Sequence, residues 1–162
     1  MPLPTLEEQI GARLMARGWH LAVAESCTGG LIGHRLTDIP GASAYYLGSI
    51  TAYAYEAKVR LLGVSWETLN QHGAVSRETV LQMARGIRSA LNAQVGLSVS
   101  GIAGPGGGTP EKPVGTVWIG LTTPDFEQAY HILWDAGRLA NKQHSAQQAL
   151  EILHAYLQGT PR

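Results

Sequence analysis

Residues 24–30 read AESCTGG. A carboxylate, a hydroxyl, a thiol and a second hydroxyl stand in a row, two glycines follow, and the apolar run HLAVA leads in. A serine between a strand and a helix start can attack a carbonyl while nearby N–H groups hold the oxyanion. The commoner fate of such a residue is to cap the helix, a task that suits both Ser26 and Thr28. Cys27 competes as the nucleophile, because a thiol near a helix start can be lowered in pKa. Neighbours on an extended segment face opposite ways, so only one of Ser26 and Cys27 faces a site, and Cys27 reads as packing.

A serine nucleophile needs a base. The six histidines, at 20, 34, 72, 131, 144 and 154, are scattered outside any polar motif, and His72, before Gly73, is the least easily dismissed. A lysine serves instead when burial or positive neighbours hold it deprotonated. Lys58 follows Tyr53 with the spacing Y-x-x-x-x-K. One turn of helix brings Lys58 over the end of the preceding strand, beside Tyr53, which can relay a proton or orient the amine. The alternative for Lys58 is a solvated helix lysine.

A third stretch, SVSGIAGPGGGTPEKPVG, holds Gly101, Gly104, Gly106, Gly107 and Gly108 within eight residues. Such density lets backbone N–H groups approach an anion. No Gly-Lys-Ser/Thr follows, so it is not a Walker A loop, and it leads to a strand rather than a helix, unlike a dinucleotide fingerprint. The alternative is a long surface turn.

The elements that must position these loops alternate. Helix spacing covers residues 5–17, with Gly18 as the stop. A strand at His20–Ala24 precedes the polar loop and a helix that ends before Pro40. Tyr45–Tyr53 reads as a strand and Glu56–Leu62 as a short helix closed by Gly63. Ser76 caps a helix with Val80, Met83, Ala84, Ile87 and Leu91 inward. Val95–Ser100 is a buried strand. Val114–Leu121 and Ala129–Trp134 form a hairpin, and a helix closes the chain over Leu139–Leu157. This order predicts an α/β fold: a three-layer α/β/α sandwich with a mixed, mostly parallel sheet that contains an antiparallel member. If the first three strands run parallel, their loops meet at one sheet edge, where open α/β sheets bind ligands.

The 162 residues fit one domain spanning 1–162. Twelve basic and twelve acidic side chains leave no net charge and no basic footprint, so a nucleic-acid partner is not expected. Charged residues make up only 15%, so the surface is expected to be partly covered by copies of the same chain, in a dimer or higher homo-oligomer. The lone Cys27 excludes an internal disulfide and a cysteine zinc site. The start, MPLPTLEEQIGARL, lacks the features of a signal peptide, and no stretch approaches the ~20 apolar residues of a membrane span. The expectation is a soluble cytoplasmic protein without a membrane partner.

Three motifs together, AESCTGG, YxxEAKxxLLGV at 53–64 and SVSGIAGPGGGTPEKPVGTVW at 98–118, with HGAVS at 72–76, resemble the carboxy-terminal CinA domain. That family includes nicotinamide mononucleotide amidases. The resemblance runs from the first helix to about Arg138. Larger CinA proteins carry a further amino-terminal domain, for which this length leaves no room, so the chain resembles the stand-alone form. The resemblance implies conversion of nicotinamide mononucleotide, a pyridine nucleotide, to nicotinic acid mononucleotide and ammonia, with no metal and no cofactor. It places the family's serine, tyrosine and lysine on Ser26, Tyr53 and Lys58. It implies oxyanion donors around Thr28, Gly29 and Gly30. It also implies substrate contacts along Ser100, Gly101, Ala103, Gly104, Gly106 and Gly107, where the loop holds the ribose phosphate. Three positions depart from the family pattern. Ala54 and Tyr55 replace the Ser-Asn of Tyr-Ser-Asn-x-x-Lys, and Gly137 replaces the acid before Arg138. A catalytically silent nucleotide-binding module and a Cys27 thiol enzyme are the alternatives.

Overall fold

A computed structural model describes residues 2–159. In chain order its elements are α1 (Leu6–Arg17), β1 (Leu21–Glu25), α2 (Leu31–Thr37), β2 (Tyr46–Thr51), α3 (Tyr55–Leu62), α4 (Trp66–His72), α5 (Arg77–Leu91), β3 (Val95–Gly101), β4 (Thr116–Thr122), β5 (Glu127–Leu133) and α6 (Arg138–Gln158). The sheet order is β2-β1-β3-β4-β5. β1 pairs with β2 and β3 in parallel, whereas β4 is antiparallel to both β3 and β5. Four strands therefore point one way and β4 alone opposes them, although the four pairings divide evenly between the two kinds.

Local chemistry accounts for the helix ends. Thr5 and Glu8 form a reciprocal capping box on α1, and Gly18 closes it in the left-handed conformation. Ser76 accepts from the Thr79 amide at the start of α5. α4 escapes the periodicity because it has seven residues and only Thr68 and Leu69 are buried; its signal is the Ser65 cap, whose hydroxyl accepts from the Thr68 amide at 3.0 Å. β2 stops at Thr51, short of Tyr53. The Ala52 amide still bonds to the Glu25 carbonyl, and the chain then turns into α3.

Both sheet faces are covered, and β1 shows the alternation. Leu21 and Val23 join the core formed with α1, α2 and α6, while Ala22 and Ala24 join the core formed with α3, α4 and α5. The second face is built of small residues and α5 sits almost on the backbone there. A Cβ on Gly96 would lie 2.2 Å from the Ala84 carbonyl oxygen, and one on Gly120 would lie 2.6 Å from that of Val80. Ser98 is buried on this face and donates to the Val80 carbonyl at 2.6 Å. Because β1, β2 and β3 are parallel, the loops after them emerge at one edge, as the order of elements predicted.

Candidate active site

β1 ends in Glu25, a fully buried carboxylate. It accepts from Thr28 Oγ1 at 2.6 Å and from the Ile32 and Gly33 amides at 3.0 and 3.1 Å. The first amides of α2 are thus satisfied by the residue that closes the strand before it. This carboxylate gives the 26–30 turn its shape. Sequence reasoning missed it; the available signal was an acid one residue before the candidate nucleophile and a hydroxyl three residues on.

Ser26 and Cys27 face opposite layers, as alternation requires. Cys27 packs in the α2/α6 core, and a Cβ on Gly101 would lie 3.1 Å from its sulfur. Burial pushes the Cys27 thiol up to about 11. Ser26 is on the other face and meets Lys58. Lys58 Nζ lies 2.8 Å from Ser26 Oγ, 2.8 Å from the Ala52 carbonyl and 3.0 Å from the Tyr53 carbonyl. Lys58 is 1% exposed and Ser26 7%. Removal from water pulls the Lys58 amine down from its ordinary range to about 8, opposed only by attraction to Cys27. A neutral amine has two N–H bonds and one lone pair. Two carbonyls and one hydroxyl surround this one, so the neutral form is fully satisfied with Ser26 donating to Nζ.

Tyr53 contributes through its main chain. Its ring is 63% exposed, and its phenol oxygen accepts from Arg138 at 3.5 Å. The phenol makes no hydrogen bond to Lys58 or Ser26 among the described residues, and the direct 2.8 Å contact between those two leaves no gap for a relay. Tyr55, at the family's asparagine position, accepts from the Ala74 amide at 3.3 Å and ties α3 to the loop before α5.

Of the three expected oxyanion donors, the Gly29 amide is occupied, donating to the Ser26 carbonyl at 3.1 Å. The Thr28 and Gly30 amides have no internal partner among the described residues. The side chain of Thr28 serves Glu25.

The glycine-rich loop begins beside Cys27 and is pinned by α6. Asn141 donates to the Ala103 carbonyl at 3.1 Å and Arg138 to the Gly104 carbonyl at 2.8 Å. Arg138 thereby links the loop to the Tyr53 phenol. The amides of Ala103, Gly104, Gly106, Gly107 and Gly108 make no internal hydrogen bond among the described residues. A Cβ on Gly104 would strike Val114 at 2.5 Å, whereas one on Gly106 would meet open space. Ser100 lies near the end of β3, and Gly101 ends that strand. Two clefts of about 440 and 420 Å³ open nearby, the first lined by His72, Ser76, Lys112 and Trp118, the second by Thr28–Leu31, His34 and Lys142. Neither is lined by Ser26 or Lys58. No cluster of His, Cys, Asp and Glu among the described residues could hold a metal, and none of their helices is long and apolar enough to cross a membrane.

The CinA C-terminal domain family model matches residues 3–157. The chain belongs to the CinA C-terminal domain family. It is 53% identical over 153 residues to a CinA-like protein of Desulfosudis oleivorans and 52% identical over 147 residues to one of Salinibacter ruber, covering 94% and 91% of this chain. It spans only 37% and 36% of the length of those relatives. The fold matches crystal structures of a CinA superfamily protein from Klebsiella pneumoniae and of the competence/damage inducible protein CihA from Agrobacterium tumefaciens. The first has a TM-score of 0.91 at 32% identity, over 95% of this chain and 96% of that one. The second has a TM-score of 0.86 at 40% identity, over 96% and 98%.

Proposed function

We propose that this CinA domain is an amidohydrolase that converts nicotinamide mononucleotide and water to nicotinic acid mononucleotide and ammonia. One observation carries the chemistry: a buried serine hydroxyl and a buried, deprotonation-prone lysine amine sit 2.8 Å apart at the carboxyl ends of the parallel strands. The substrate rests on the three motifs at 24–30, 53–64 and 98–118 that resemble the family's amidases.

In the proposed reaction Ser26 Oγ bonds to the carboxamide carbon as its proton passes to Lys58 Nζ. The oxyanion is held by the unpaired Thr28 and Gly30 amides. The C–N bond then breaks, the Lys58 ammonium returns its proton to the departing nitrogen, and ammonia leaves. Water attacks the acyl carbon and gives a proton to Lys58, the bond to Ser26 Oγ breaks, and the serine regains its proton. The unpaired amides of the 103–108 loop hold the ribose phosphate.

The test is ammonia release from nicotinamide mononucleotide, without added metal, by the wild type and by Ser26→Ala. Turnover is expected in the wild type, with a loss of at least about 10³-fold in the variant. A folded wild type that binds the nucleotide without turning it over would overturn the enzyme and leave a binding module.

A further inference from the structure

β1 and β3 pair in parallel with Ala24 opposite Ser98 and Glu25 opposite Val99, and the Ser26 amide donates to the Val99 carbonyl at 3.0 Å. Extending that register by one step sets Ser100 beside Ser26. Ser100 also shares the face of Ser98, the α5 face on which Ser26 meets Lys58. Ser100 is 1% exposed, yet its hydroxyl makes no hydrogen bond among the described residues. The wholly enclosed polar atoms without a partner are Tyr45 Oη, Thr122 Oγ1 and His154 Nε2. Ser100 Oγ is not one of them, so it keeps a small exposure. Ser98, two residues earlier, shows what a buried serine of this strand does when its role is structural, bonding to the Val80 carbonyl of α5.

A hydroxyl that no protein group engages is free to bond to a ligand that reaches it. On the amidohydrolase reading above, the group that arrives next to Ser26 is a carboxamide. Its carbonyl oxygen turns toward the amide donors, and its NH2 lies on the other side of the carbon. We propose that Ser100 Oγ accepts an N–H of the scissile carboxamide, orienting the leaving nitrogen and favouring primary amides over esters of the same acid. The thrift of this arrangement is that no proton is transferred to Ser100; it binds and orients only.

The discriminating variant is Ser100→Ala, assayed on nicotinamide mononucleotide and on the methyl ester of nicotinic acid mononucleotide. The ester presents the same ring, ribose and phosphate but no N–H. The expected result is a fall in kcat/KM of about tenfold on the amide, the worth of one hydrogen bond, with ester hydrolysis held within about twofold. The melting temperature should stay close to that of the wild type, because Ser100 Oγ makes no hydrogen bond to the protein among the described residues. Ser100→Thr, which keeps a hydroxyl, should recover most of the amide activity. Equal losses on amide and ester, or no loss on the amide, would overturn the proposal. A wild type that hydrolyses neither substrate would instead overturn the amidohydrolase reading itself, and this role with it.

Discussion

Replacing Lys58 by methionine tests the buried amine by two independent routes. In the folded chain this amine titrates near 8 against an ordinary 10.5, and the cause is loss of water. At 1.36 kcal/mol per unit, folding with a charged Lys58 costs about 3 kcal/mol. Below pH 8 both states carry the ammonium and the fold bears the full cost. Between pH 8 and 10.5 the unfolded chain binds a proton that the folded one does not, so stability rises with pH. Above 10.5 both are neutral and the cost is gone. Urea unfolding of the wild type should therefore gain about 2 kcal/mol between pH 7 and 9.5 relative to Lys58→Met, whose other titrations are the same and cancel. Methionine leaves the Ala52 and Tyr53 carbonyls without their donor, which shifts the variant's stability at every pH but not the slope. On the proposed mechanism the same titration governs the rate. About a tenth of the enzyme holds a neutral Lys58 at pH 7, so kcat/KM on nicotinamide mononucleotide should climb about tenfold per unit at low pH and level off near 8. Parallel stability curves for wild type and variant would refute the desolvated amine. A rate that is flat from pH 6 to 9 would refute its role as base.

Three further outcomes follow from the geometry. With its thiol raised to about 11, Cys27 should react with iodoacetamide about a hundredfold more slowly in the folded protein than in urea at pH 8, and Cys27→Ala should keep full amide hydrolysis. Glu25→Ala leaves the Thr28 hydroxyl and the Ile32 and Gly33 amides without their acceptor, and should lower unfolding free energy by about 3 kcal/mol in urea titrations. Arg138→Ala frees the Gly104 carbonyl and loosens the loop proposed to hold the phosphate, so KM for nicotinamide mononucleotide should rise about five- to tenfold while kcat changes little.

What the sequence makes legible here is what is local. The cap at Ser76, the glycine after α1 and the strand–loop–helix order each rest on a few neighbouring residues, and the convergence of three loops follows from strand direction alone. The facing of Ser26 and Cys27 follows from the two-residue period. The Lys58–Ser26 pair spans 32 positions, yet the helical turn after Tyr53 is enough to suggest it. The features not legible are those for which a side chain works against its type or from afar. Tyr53 engages the amine with its carbonyl, which every residue has, so no residue type announces it. Arg138 and Asn141 pin the glycine loop across 34 and 38 positions. Glu25 looks like a reacting acid and instead holds backbone amides.

The close seat of α5 has a consequence for how such a domain can diversify. Against Gly96 and Gly120 the helix rests on main chain, and any side chain there must drive backbone into backbone. That face of the sheet is fixed by sterics and can change only if the helix moves as a whole. On the amidohydrolase reading, new substrate preferences arise instead at open positions such as Tyr53 and Gly106, where a residue can be exchanged without disturbing the layer beneath. The layer beneath the loops cannot drift, whereas their open positions can.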